Sequence, residues 1–147
     1  MIFRHFNTIF DNGSGHSVFI VAEISANHGQ DLRLATDLIR AAKECGEDAV
    51  KFQTYTPDTI TLDIRNKYFM TDHPEWGGQT LHRLYNKAYT PWKWFKKLKK
   101  AADSAGLVFF STAFDKTAVD FLEDLHVPCH KIASFELVDI PLIEYAA

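Results

Sequence analysis

Polar and ionisable side chains recur at the ends of short apolar runs in this chain. "FIVAEISANH" ends in Glu23, Ser25, Asn27 and His28, "AVKFQ" carries Lys51 and Gln53, "LVFFSTAF" carries Ser111 and Thr112, and "CHKIAS" carries Lys131 and Ser134 with Glu136 just beyond. Two lysines with Ser and Thr hydroxyls supply the charge and hydrogen bonds that hold phosphate or carboxylate oxygens. Two glutamates and a glutamine suit the hydroxyl and amide groups of a sugar, or proton transfer. An anionic donor meeting a polyol is the implied pair of ligands. Each residue also has a plainer use. Lys51 can snorkel to water, Glu23 and Glu136 can neutralise the lysines, and the hydroxyls can satisfy nearby backbone. His28 can close a hydrogen-bonded turn. The repetition of one arrangement at successive runs favours the functional reading over any single member.

The elements that must position these residues follow from periodicity. In "AVKFQ", Val50 and Phe52 face one way while Ala49, Lys51 and Gln53 face the other. Val18 to Ile24 is nearly all apolar, as expected of a strand buried on both faces. "DLRLATDLIRAAKECGE" places Leu34, Leu38, Ile39 and Ala42 at helical spacing, with Gly46 as the C-terminal stop. "TPWKWFKKLKKAADSAG" starts with Thr90 as N-cap and Pro91 at the first helical position, and Asp115 caps "DKTAVDFLEDLH". "DIPLIEYAA" begins a fourth helix, whereas residues 57–90 read as a long loop. Strand and helix therefore alternate four times, the signature of a parallel sheet with right-handed crossovers.

The expected fold is α/β: the N-terminal half of a (β/α)8 TIM barrel over residues 18–147, preceded by a β-hairpin segment over residues 1–17 closed at "DNGSG". A whole barrel takes roughly 250 residues, so a longer protein is expected, with two unpaired sheet edges in this piece. A four-stranded open α/β sheet is the competing fold, disfavoured because no glycine-rich phosphate loop follows any strand. Every strand runs from apolar into polar at the same end, and barrel enzymes gather their working residues there.

A net charge of -3 argues against a nucleic-acid partner. No apolar run reaches the roughly 18 residues of a membrane span, and no secretory signal is apparent, which points to a cytoplasmic protein without a membrane partner. Cys45 and Cys129 lack metal or redox spacing and are expected to be buried thiols. The histidines show no metal spacing, so no metal ligand is assigned. "WKWFKKLKK" looks basic and amphipathic, yet it fits an outer barrel helix with Lys93, Lys96, Lys97 and Lys100 in solvent.

With these residues in view, "FIVAEISANHGQ", "AVKFQTYTPDT", "YNKAYTPWKWF", "FFSTAFD" and "HKIASFEL" resemble the N-terminal half of the sialic acid synthase family, nearest to its pseudaminic acid synthase branch. The resemblance runs from about Phe19 to the end; Ala113 stands where many relatives have proline. It implies a (β/α) barrel with a C-terminal antifreeze-like domain in a domain-swapped homodimer. The implied reaction condenses phosphoenolpyruvate with the open chain of a 2,4-diacetamido-2,4,6-trideoxy hexose, giving pseudaminic acid and phosphate. A divalent metal, manganese or magnesium, would polarise the sugar aldehyde, with its ligands outside this chain. By the same resemblance Lys51, Thr112, Lys131 and Ser134 would hold phosphoenolpyruvate, while Glu23, Gln53 and Glu136 would face the sugar and reacting centre. Either glutamate could handle protons, and Asn27 and His28 would support. The piece alone is expected to be inactive. The alternatives are a synthase using N-acetylmannosamine and a non-catalytic anion-binding half barrel.

Overall fold

The computed structural model describes residues 2–3, 18–72 and 77–147. In chain order these form β1 (Ile2–Phe3), β2 (Val21–Glu23), α1 (Leu32–Glu44), β3 (Ala49–Thr54), α2 (Pro57–Ile60) and α3 (Leu81–Ala88). A 3-10 turn (Trp92–Trp94) then runs into α4 (Phe95–Ala105), followed by β4 (Val108–Ala113), α5 (Lys116–Asp124), β5 (Cys129–Lys131), a second 3-10 turn (Phe135–Val138) and α6 (Ile140–Ala146). The sheet order is β1-β5-β4-β3-β2, with β2 to β5 mutually parallel and β1 antiparallel to β5. Sequential parallel strands joined through helices give the topology of the first half of a (β/α)8 barrel.

Local chemistry sets the helix ends. The Asp31 carboxylate accepts from the N–H groups of Arg33 and Leu34 to start α1, and Asp115 accepts from Ala118 to start α5. Gly46 turns left-handed after α1 and donates to Lys43 O, while Glu47 donates to Ala42 O. The same paired bonds close α5, but the left-handed residue there is His126, at φ 55°.

One face of the sheet packs against the helices. Val50, Phe52 and Phe109 meet Ile39, Phe95, Leu98 and Leu122 in a continuous core. Phe52 stacks on Phe109 with ring centroids 5.4 Å apart, and Phe95 meets Phe121 edge-on at 5.3 Å. The alternation of β3 sends Lys51 and Gln53 to the opposite face, as its sequence pattern requires.

Several expectations change. The turn at "DNGSG" lies outside the described residues, and Ile2–Phe3 pairs with Cys129 and His130 at the far side of the sheet from β2 rather than with the apolar segment that follows the turn. That pairing covers the outer edge of β5 and makes β1 the edge strand there, so among the described residues the sheet keeps two open edges, on β1 and on β2. Val18 and Ile20 are 79% and 49% exposed instead of buried on both faces, because the strand begins only at Val21 and lies at an edge of the sheet. The stripe of α1 is Ala35, Ile39 and Ala42, leaving Leu34 exposed; Cys45 is also exposed, just beyond the last turn, and only Cys129 is buried. The presumed long loop contains two helices, started by a capping box at Thr56 and an N-cap at Thr80.

Thr90 does not cap a helix. It is buried and its Oγ1 lies 2.9 Å from His28 Nε2, while His28 Nδ1 accepts from Gln30 N–H at 3.0 Å. Since Nδ1 accepts, the proton of the neutral ring sits on Nε2 and is donated to Thr90. His28 is wholly buried against Trp94, joining the loop after β2 to the segment entering α4.

Two outcomes test this packing. Replacing the solvent-exposed His126 by glycine removes the left-handed penalty without removing a contact of the core, so His126→Gly should raise the unfolding free energy in urea by about 1 kcal/mol. Burial lowers the His28 pKa from 6.5. The unfolded chain then binds its proton at higher pH than the folded one, so this stabilisation is complete above about 6.5 and is lost as pH falls through the depressed folded value. The urea midpoint should therefore drop with acidification over that window, and His28→Gln should lower the neutral plateau while flattening that part of the profile.

Candidate functional site

Parallel pairing arranges the non-helical face of the sheet into rows. Phe110, Ala49 and Cys129, with Val21 and Val108 beside them, form an apolar floor. Burial pushes the Cys129 thiol up to about 11, so it packs as a neutral group. Toward the C-terminal strand ends, Glu23 lies opposite Lys51, and Gln53, Thr112 and Lys131 share the next row across β3, β4 and β5. Strands about 4.8 Å apart bring such neighbours within hydrogen-bonding reach.

These rows open into a cavity of about 580 Å³ lined by Glu23, Lys51, Gln53, Thr112, Lys131, Ser134 and Glu136, together with Tyr55, Tyr85 and Phe114. Lys51 forms an ion pair with Glu23 and donates to Thr112 Oγ1 at 3.2 Å. Its side chain is 12% exposed, whereas that of Glu23 is 43% exposed. The Lys131 side chain makes no hydrogen bond or ion pair among the described residues, which leaves its ammonium group available to an incoming anion. Ser134 precedes the 3-10 turn without capping it, so its hydroxyl is likewise uncommitted there.

Glu136 sits on that turn, with Oε2 buried and without a hydrogen-bond partner. Burial raises its pKa, against the opposing pull of its backbone contact and the Lys131 charge. Two carboxylates thus share one cavity in different states of engagement: Glu23 is tied to a cation, and Glu136 is poorly solvated and unpaired at one oxygen. The arrangement can grip a multiply charged anion and carry a proton at Glu136.

Asn27 is exposed and lines an adjoining cavity, and His28 points away into the packed joint described above. Ser111, noted from its position in the third run, faces the helices and bonds Thr54 at 2.7 Å. The aromatic lining was not singled out from the sequence. Tyr55 lies two residues beyond Gln53 and continues its face; it is buried, and burial followed by the nearby Tyr85 raises its pKa. Tyr85 arrives from α3, whose Leu81, Leu84, Tyr85 and Ala88 follow the i, i+3, i+4, i+7 spacing overlooked in that region.

Among the described residues no group of His, Cys, Asp and Glu is assembled to hold a metal ion, so the side chains here do not by themselves fit the divalent cation of the resemblance. Nor is any described helix long and apolar enough to cross a membrane.

The chain is 48% identical over 128 residues to pseudaminic acid synthase of Helicobacter pylori, covering 87% of this chain and 38% of that protein. It is 38% identical to N,N'-diacetyllegionaminic acid synthase of Legionella pneumophila, covering 98% of this chain and 40% of that one. The fold superposes on N-acetylneuraminic acid (sialic acid) synthetase of Leptospira borgpetersenii, solved in complex with citrate, with a TM-score of 0.71 and 32% identity over 89% of this chain and 41% of that one. The chain thus spans well under half the length of the proteins it matches. The NeuB family model matches residues 38–147, from within α1 through every later strand of the cavity, and the chain belongs to the NeuB family.

Proposed function

We propose that this chain supplies the phosphoenolpyruvate-binding half of a nonulosonic acid synthase, with a 2,4-diacetamido-2,4,6-trideoxy hexose as co-substrate and pseudaminic acid as product. The observation that carries this reading is the convergence of Lys51 and Lys131 on one cavity with Thr112 and Ser134 between and beside them. Its support from kinship is the 48% identity to a pseudaminic acid synthase.

In this reading the two ammonium groups and the hydroxyls bind the phosphate and carboxylate of phosphoenolpyruvate. The enol-ester double bond then supplies the electron pair from C3 that forms the new bond to the aldehyde carbon, leaving positive charge at C2, while the aldehyde π pair moves to its oxygen, which takes a proton from solvent. Water adds at C2, losing one proton to the Glu136 carboxylate. The resulting C2 hydroxyl gives up its second proton to solvent as it becomes the ketone, and the C2–O bond breaks with its electron pair leaving on phosphate. Glu136 is assigned the proton because its carboxyl is desolvated and unpaired at Oε2, whereas Glu23 already serves Lys51. Gln53 and Glu23 face the sugar. The reaction takes place in a biosynthetic enzyme of the cytoplasm that works as a homodimer with a divalent metal, and the chemistry argued for this chain rests on its own side chains.

Calorimetric titration of the chain with phosphoenolpyruvate is the direct test. Binding should be measurable, and Lys131→Ala and Lys51→Ala should each weaken it by about tenfold or more, the loss of a charge-assisted hydrogen bond. Equal affinity in Lys131→Ala, or no binding to the unaltered chain, would sink the reading. Because the chain spans 38% of the Helicobacter pylori synthase, phosphate release from phosphoenolpyruvate plus sugar should stay at background; turnover at the rate of an intact relative would refute that expectation.

A further inference from the structure

The cavity that gathers Lys51 and Lys131 also holds the carboxyl groups of Glu23 and Glu136, so its charges cancel when both are ionised. Tyr55 and Tyr85 add hydroxyls and no charge at neutral pH. Phosphoenolpyruvate brings about three negative charges there, one on its carboxylate and close to two on its phosphate. A cavity of zero net charge does not offset that load, because the lysines attract the anion while the carboxylates repel it.

The two carboxyl groups differ in how readily each can be neutralised. Glu23 uses both oxygens as acceptors, one toward Lys51 and Oε1 from the Ser25 N–H at 3.0 Å, so a proton on either costs an existing bond. Glu136 has Oε2 buried without a partner, and a proton there displaces nothing. Burial raises the Glu136 pKa, against its own backbone contact and the Lys131 charge, and with help from Asp139 at the start of α6. An anion seated on the Lys131 ammonium group offsets the cation that favours the ionised form and sets like charge beside the carboxyl.

We propose that phosphoenolpyruvate enters this cavity together with a proton, which Glu136 takes up. This rests on the synthase reading above and adds to it a coupling between anion binding and pH. The complex holds the proton more tightly than the free chain does, so affinity falls as pH rises through the range where the complex loses it. The loaded proton then has a use. As C3 bonds to the aldehyde carbon, Glu136 gives it to the aldehyde oxygen in place of one from solvent, and the carboxylate left behind accepts the proton lost by water at C2.

The test titrates the unaltered chain with phosphoenolpyruvate at about pH 7.5, where the phosphate is already mostly a dianion, in two buffers of different ionisation enthalpy. The difference in heat counts protons. The unaltered chain should take up about half a proton or more per anion, and its affinity should fall by about threefold or more from about pH 7.5 to about pH 8.5. Glu136→Gln should take up none, lose that pH dependence and bind at least as tightly at about pH 7.5. In the unaltered chain, the NMR resonance of the Glu136 carboxyl carbon should move to its protonated position on saturation. Binding with identical heats in the two buffers would overturn the proposal, as would uptake that survives in Glu136→Gln or a Glu136 resonance that stays at its ionised position. No binding to the unaltered chain would instead bring down the synthase reading, and this inference with it.

Discussion

The contact on which the cavity depends is the ion pair between Lys51 and Glu23. A mostly buried ammonium group is costly without compensation, and Lys51 receives it from two directions: a carboxylate on the neighbouring strand and the Thr112 hydroxyl on the strand beyond. Both partners are delivered by parallel register, which leaves little freedom in where they lie. The pair also anchors β2, a strand of three residues bonded to the sheet on one side only. Removing Glu23 would strand a buried cation and loosen the edge at once. Lys51 is thus engaged while Lys131 has no side-chain partner among the described residues, and the desolvated carboxyl of Glu136 lies close enough to Lys131 to feel its charge.

The polar loop that follows β2 belongs to the same construction. Ser25, Gly29 and Gln30 all adopt positive φ within a few residues, so the loop is bent more sharply than its composition favours. It is held by contacts to the segment around α3. His28 reaches Thr90, and the Gln30 amide donates to the carbonyls of Asn86 and Tyr89 at 3.0 and 3.1 Å. The cavity rim is therefore set jointly by β2 and by the region between α2 and α4.

Much of this was legible in the sequence because two strong periodicities coincide with the sheet. The alternation of "AVKFQ" tells which side chains leave the core, and the recurrence of Lys and hydroxyl residues at matching positions tells which end of the sheet they reach. The cap at Asp115 fixed a helix start for the same local reason. What could not be read were choices made by distant partners. Thr90 is an acceptable N-cap on paper, but a buried histidine sixty-two positions earlier claims its hydroxyl. Ile2–Phe3 finds its partner in β5, a pairing that no local turn signal specifies. The exposure of Val18 follows from its lying ahead of a short edge strand that begins only at Val21, which composition alone does not reveal. Tyr85 escaped notice because a helix of eight residues is short enough to be hidden among turn formers.

The indole of Trp92 links the helical layer to the cavity. It lies tilted over Phe121, 4.6 Å between centroids, and its N–H donates to the backbone carbonyl of Tyr55 at 3.1 Å. Tyr55 in turn forms part of the wall between the two cavities. Any shift of that wall alters the polarity and hydrogen bonding felt by the indole, so the protein carries a native fluorophore wired to the wall of its cavities, and a change there becomes visible in emission without a label.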